Sequence, residues 1–225
     1  MAKEMKKYTV ELLKISIVGE DYYIFDFKIP NGISFIEGQY GVFMHDNKEI
    51  EGRKVRALSI ASSNDENILK IATQIGANPS DFKKKMLDLH IGDKMIFNGP
   101  MGSFILKQGF HNVFIAGGIG ITPIRGILKQ IDNMKIKEES VLIYSERRNV
   151  YPFKEEFDNM DFLDRYYKNN IENTKAAIDK ALQKYANKAF YYVSGSPGFI
   201  NGIKAQLIDK GIDDKHIKYD RFTGY

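Results

Sequence analysis

Its 225 residues are enough for one large domain or two of about 110 each. With 43% apolar and 28% charged residues and a net charge of +4, the chain is too apolar for disorder and too weakly basic for a nucleic-acid binder. Cysteine is absent, which excludes disulfides, thiolate zinc sites and cysteine-ligated iron–sulfur clusters within this chain; redox chemistry here needs an organic cofactor. The four histidines (His45, His90, His111 and His216) are too scattered for a metal site. The opening MAKEMKKYTV is charged and lacks the apolar core of a secretory signal, and no apolar run approaches the roughly 18 residues that span a bilayer. The expected location is cytoplasmic.

The first half reads as strands. KYTVELLKISIV (7–18) and YYIFDFKI (22–29) are rich in β-branched and aromatic residues, and Asn31-Gly32 supplies a turn after them. YGVFM (40–44), RALSIAS (56–62), NILKIATQI (67–75) and KMIFN (94–98) continue the pattern. One helix interrupts them at SDFKKKMLDL (80–89), with Ser80 as its N-cap. Roughly six short strands predict an antiparallel barrel or sandwich.

The second half alternates strand and helix. NVFIAG (112–117) precedes a helix from Pro123, in which Ile124, Ile127, Leu128 and Ile131 share one face. SVLIYS (140–145), a short helix at PFKEEF (152–157), a strand at FLDRYY (162–167) and a helix at TKAAIDKALQKYA (174–186) follow. AFYYVSG (189–195) leads into a helix at 196–211, with Ile200, Ile203, Leu207 and Ile208 assigned to one face, and KHIKYDRF (215–222) closes as a strand. Such alternation predicts a parallel sheet wrapped by helices. The fold class is therefore β plus α/β, with domains at 1–107 and 108–225.

The sequence VFIAGGIGITPI (113–124) crowds Gly117, Gly118 and Gly120 where a strand hands over to a helix. Thr122 can cap that helix, and Pro123 suits a first turn because its missing N–H would go unpaired. Backbone N–H groups at a helix start favour phosphate. A tight turn with no ligand accounts for the glycines equally well. A second junction, VSGSPGFI (193–200), repeats the arrangement at Gly195, Ser196 and Pro197. Two such junctions in one parallel sheet lie on its ligand-binding edge. A specificity signal is expected at the end of the next strand, in YSERRNVY (144–151). Glu146 there suits ribose hydroxyls, whereas Ser145, Arg147 and Arg148 suit an extra phosphate.

In this order, EGQYGVFM (37–44), RALSIASS (56–63), GPMGSFIL (99–106), AGGIGITPI (116–124), VSGSPGFINGI (193–203) and YDRFTGY (219–225) resemble the motifs of the ferredoxin–NADP reductase family of flavoproteins. The similarity covers nearly the whole chain and implies a stand-alone reductase without its own iron–sulfur domain. It implies that Arg56, Ala57, Leu58 and Ser59 form the flavin-binding strand, Arg56 pairing with the FAD pyrophosphate and Ser59 donating to the flavin nitrogen that accepts hydride. Gly76 and Ser80 would serve the FAD phosphates, Thr122 would lie beside the nicotinamide, and the terminal Tyr225 would cover the flavin face. Two departures stand out: Leu58 replaces the family's aromatic residue, and Ser194 stands where a cysteine is frequent, as a candidate catalytic group.

The resemblance implies an FAD-dependent NAD(P)H oxidoreductase that passes hydride to the flavin and single electrons to an acidic carrier such as ferredoxin or flavodoxin. Lys83, Lys84 and Lys85, with Lys3, Lys6 and Lys7, are candidates to steer such a carrier; a solvated face and a loose tail explain them too. Arg147 and Arg148 point to NADPH over NADH. FMN in place of FAD, a small-molecule acceptor (free flavin, ferric chelate or quinone) and an electron-relay role within a larger complex are the alternatives. No nucleic-acid partner or membrane span is expected.

Overall fold

The structure, a computed structural model, describes residues 6–221. Tyr225 and Lys3 lie outside the described residues. Strands β1 (Lys7–Val18), β2 (Tyr22–Lys28), β3 (Tyr40–His45), β4 (Val55–Ser59), β5 (Ile68–Gln74) and β6 (Lys94–Met101) come first, with helix α1 (Asp81–Leu87) between the last two strands. They form an antiparallel sheet in the order β4-β3-β6-β1-β2-β5. Its ends curl toward each other, because Ile60 just past β4 pairs with Ile71 of β5. The curl is built into β1: its first half pairs with β6, its second half with β2, and the register shifts between Leu12 and Lys14. An extra residue at such a point bends a strand and increases its twist. Val10, Leu12, Phe25, Phe27, Phe43, Leu69, Ile71 and Phe97 fill the interior, and Phe82 and Met86 of α1 close one end.

Strands β7 (His111–Gly117), β8 (Ser140–Ser145), β9 (Leu163–Lys168), β10 (Ala189–Gly195) and β11 (Ile217–Arg221) follow, connected by helices α2 (Ile121–Met134), α3 (Lys154–Asp158), α4 (Ile171–Tyr185) and α5 (Pro197–Asp209). All pairs are parallel, in the order β11-β10-β7-β8-β9. Both faces are covered, as a parallel sheet requires. Val113 and Ile115 of β7 meet Ile178 of α4 and Ile200 and Ile203 of α5 on one side. Phe114 and Ala116 meet Ile124, Ile127 and Leu128 of α2 on the other, each burial worth about 1.5–3 kcal/mol for an aliphatic side chain.

Three expectations need correction. Helix α2 begins at Ile121 rather than Pro123, and no side chain caps it. The Thr122 hydroxyl lies inside the first turn and donates to the Ile119 carbonyl at 2.7 Å. Ile208 is 41% exposed, so the buried face of α5 is Ile200, Ile203 and Leu207. Among the steering lysines, Lys83 does not point outward: its ammonium donates to the Gln74 carbonyl at 2.7 Å.

Candidate functional site

In the order β11-β10-β7-β8-β9, chain connections run outward in both directions from the β7–β10 pair. Parallel sheets bind ligands beyond the carboxyl ends of the strands at such a switch point. Both glycine–proline junctions end there, and they interlock. A Cβ on Gly120 would lie 2.3 Å from the Ser194 carbonyl oxygen, and one on Gly117 would lie 2.9 Å from the Phe199 ring. Gly118 adopts φ +54, which side chains rarely tolerate. The chain's own packing therefore explains the bare residues at 117 and 120. What they leave open is a cleft of about 490 Å³ lined by Gln74, Gly117, Gly118, Ser145, Glu146, Arg147, Arg148, Ser196 and Phe199. Ser196 also caps α5, its hydroxyl accepting from the Phe199 amide at 3.3 Å, and Pro197 occupies the first turn. Gly195 is buried where the two junctions meet.

At the far side of this cleft the charges are already partly engaged. Glu146 is buried; one carboxylate oxygen accepts from the Tyr22 hydroxyl at 2.5 Å, the other from the Arg148 amide at 3.0 Å and its Nε at 3.2 Å. Arg148 reaches on to Asp21 at 2.8 Å and lies over the Tyr22 ring. Burial, reinforced by Glu146, pushes the Tyr22 phenol well above its usual range, so it stays a neutral donor. Arg147 is exposed and makes no ion pair among the described residues. The Ser145 hydroxyl accepts from Thr174 at 3.0 Å.

A second cavity, of about 280 Å³, opens where the end of β4 faces the parallel sheet. It is lined by Tyr40, Arg53, Arg56, Ala57, Leu58, Ser59, Ala72, Thr73, Gln74, Lys83, Ile119, Asp220 and Arg221. Arg56 donates to the carbonyls of Arg53 and Val55 and to the Ser80 hydroxyl at 2.9 Å, yet its buried Nε has no partner among the described residues. Burial, then the like charge of Arg53, pushes the Arg56 guanidinium down; burial, then Arg56, does the same to Lys83. Neither Arg53 nor Arg56 forms an ion pair among the described residues. Crowded cations with an unspent buried donor fit an anionic ligand. Leu58 and Tyr40 give the same cavity apolar surface, so the lining suits a flavin nucleotide. Ser80 stands at the N-cap of α1 without capping it, and Gly76 is exposed, with nothing within 4 Å of a built Cβ.

The two cavities meet at Gln74, which lines both. Beside them the Ser59 hydroxyl donates to Asp220 at 2.8 Å, linking β4 of the barrel to β11 of the parallel sheet. Asp220 is in register with Ser194 on β10, and the Ser194 hydroxyl is buried without a partner among the described residues. Burial raises the Asp220 carboxyl, opposed by the Ser59 hydrogen bond. Thr122 is fully buried and lines neither cavity; Ile119 is the residue of that turn that faces the β4 side. Asp220 is the site residue that sequence reasoning missed, although it stands within the terminal YDRFTGY motif. Tyr22 gave no signal, because its partner is 124 positions away.

Residues 114–205 match the oxidoreductase NAD-binding domain family. The chain is 27% identical over 230 residues to one subunit of the Na(+)-translocating NADH-quinone reductase of Haemophilus influenzae (strain 86-028NP), covering 88% of this chain and 56% of that protein. It thus spans about half the length of the curated relatives it matches. Among solved structures, the ferredoxin reductase in carbazole 1,9a-dioxygenase has a TM-score of 0.82 at 19% identity, covering 99% of this chain and 71% of that one. A ferredoxin NADP+ reductase from Neisseria gonorrhoeae, with bound FAD and NADP, has a TM-score of 0.79 at 17% identity, covering 97% and 99%. A curled antiparallel sheet followed by a five-stranded parallel sheet with an NAD-binding match is the two-domain architecture of those reductase structures. The chain thus carries a match to the oxidoreductase NAD-binding domain at 114–205 and shares the two-domain fold of ferredoxin–NADP reductase-like structures.

Proposed function

We propose that the chain holds FAD in the cavity at β4 and a nicotinamide dinucleotide in the cleft at the β7–β10 switch point, and transfers hydride between them. The domains proposed are an FAD-binding barrel at 1–107 and an NAD(P)-binding domain at 108–225. The observation that carries this reading is the Ser59–Asp220 hydrogen bond, which joins the ends of β4 and β11 in the wall of the first cavity. Flavin, when bound, supplies hydride acceptance and single-electron release. Arg56, with Arg53 and Lys83 beside it, holds the pyrophosphate; Leu58 and Tyr40 exclude water from the ring system. The main chain at Gly117 and Gly118, with Ser196, seats the dinucleotide.

Asp220 sets the state of Ser59. Burial raises its carboxyl; when protonated, that carboxyl donates to Ser59 Oγ and turns the Ser59 hydroxyl proton toward the cavity. The ionised carboxylate reverses that bond and takes the donor away. Ser194, unpartnered in the register position beside Asp220, is the proposed polar contact on the nicotinamide side.

NADPH over NADH is the proposed preference. Glu146, which would otherwise hold ribose hydroxyls or repel a 2′-phosphate, has both oxygens engaged by Tyr22 and Arg148. Arg147 is left to take the phosphate, with Ser145 at its side. An acidic one-electron carrier in the cytoplasm is the proposed acceptor, with the exposed Lys84 among the steering charges. The likeness to part of an NADH-quinone reductase favours a second reading, an NADH-fed relay within a complex. Purified protein tests both: cofactor released on denaturation is identified, and the protein is titrated anaerobically with NADPH and NADH. FAD bleached more efficiently by NADPH supports the first reading, and a clear NADH preference supports the second. A colourless protein that takes up no added flavin overturns both.

A further inference from the structure

Helix α2 begins where the nucleotide cleft ends, and its first two turns are pressed onto the barrel backbone just past Ser59. A Cβ on Gly126 would lie 3.0 Å from the Ser62 carbonyl oxygen and 3.4 Å from that of Ile60. One residue earlier, Arg125 is 3% exposed and donates to the Ala61 carbonyl at 2.7 Å. The same guanidinium grips both oxygens of Glu66 in the barrel at 2.8 Å, and Glu156 on α3 at 2.6 and 3.3 Å, with the Phe153 ring beneath it. The strand end it seats on is rigid in its own right, since Ile60 bonds Gln39 and Ala61 bonds Lys70. Neither Arg125 nor Gly126 lines either cavity.

Resting on the two-cofactor reading above, we propose that Arg125 and Gly126 are positioning residues for hydride transfer. They fix the separation between the Ser59 strand end and the Gly118–Ile119 turn, and so between donor and acceptor. Residues 59 to 61 lead directly from the first site into the clamp, and residues 118 to 125 lead into it from the second. Hydride transfer is steep in this separation: a displacement of about 1 Å costs on the order of 10²-fold in rate.

Gly126→Ala tests the inference, because its methyl group moves α2 off Ser62 by a few tenths of an ångström. The expected result is unchanged flavin content and NADP⁺ affinity within about twofold, together with a roughly fourfold to sixfold slower flavin bleaching by NADPH. The long-wavelength charge-transfer absorbance between nicotinamide and flavin weakens in parallel. In flavin-free protein, amide exchange at 60–62 rises. Wild-type bleaching and charge-transfer intensity in the variant overturn the proposal, as does a loss of nucleotide affinity equal to the loss of rate. If Gly126→Ala does not fold, Glu66→Gln keeps the shape of the clamp and removes one of its charges; the same split in milder form is expected, and its absence overturns the proposal. If the unaltered protein binds no flavin or nucleotide, it is the two-cofactor reading that has failed, and this inference with it.

Discussion

At Arg125 the barrel and the parallel sheet are joined by a guanidinium whose five N–H donors all find acceptors. Farther along the same seam, at Ser59 and Asp220, they are joined by one side-chain hydrogen bond, flanked by the unpartnered Arg56 Nε and Ser194 Oγ. Both places are largely closed to water and both span the two halves. The difference lies in spare hydrogen-bonding capacity. A saturated junction can hold its parts together but has nothing left to offer a ligand, whereas an unsaturated one bears the cost of buried polar groups that a ligand can relieve.

Breaking the saturated junction should have the largest effect. Arg125→Met leaves Glu66 and Glu156 facing each other without their cation; because Glu66 is 20% and Glu156 36% exposed, the cost lies near the lower end of the about 3–5 kcal/mol for breaking a buried pair. For a chain of this size the midpoint of thermal unfolding should fall by roughly 10 °C, read by calorimetry. Ser59→Ala attacks the unsaturated junction instead. Flavin bleaching by reduced nucleotide should slow about 10²-fold in stopped-flow measurements, with flavin content nearly unchanged and the melting temperature lower by only a few degrees.

The two junctions also respond to pH with opposite sign. Glu66 is held below the ordinary carboxylate value: burial raises it, but hydrogen bonding and charge from Arg125 outweigh that. Its contribution to stability is therefore present above the ordinary value and lost as pH falls through the folded-state value. Asp220 is held above the ordinary value by burial. Its contribution is present below the unfolded value and lost as pH rises through the folded-state value, so above the unfolded value the buried carboxyl costs stability. Asp220→Asn should raise the melting temperature at neutral pH by a few degrees, a gain that shrinks as the buffer is made acidic. The unaltered protein should bleach more slowly as pH rises and Asp220 ionises, and this variant should flatten that dependence. The smallest effect sharpens the comparison at the nucleotide cleft: Arg147→Ala should weaken NADPH binding about fivefold to tenfold in calorimetry and NADH binding by less than about twofold.

Periodicity in the sequence reports which face of an element is apolar, and on that basis strands β1, β8 and β10 were legible from end to end. It does not report what packs from the other half of the chain. The first turns of α2 show this: Thr122, Arg125 and Gly126 carry no apolar signal, yet all three are buried because the barrel covers the face turned away from the sheet. The glycines at 117 and 120 were legible as a dinucleotide-type turn, but their contacts with Phe199 and Ser194 were not, because those residues lie 82 and 74 positions away in the sequence. Lys83 read as one of three surface lysines until the fold turned it toward the cavity that Arg56 lines. Ile208 had the correct spacing for the core and is exposed, since α5 buries a narrower stripe than its composition suggests.

Everything proposed for the two cavities turns on hydride crossing the seam beside Ser59. Anaerobic mixing of the flavin-loaded protein with NADPH deuterated at one face and then the other of the nicotinamide C4 reads this directly. Bleaching of the flavin should slow several-fold for deuterium on one face only, since a fixed seam presents a single face of the ring. Bleaching that ignores deuterium on both faces, or no bleaching at all by NADPH or NADH, would contradict it.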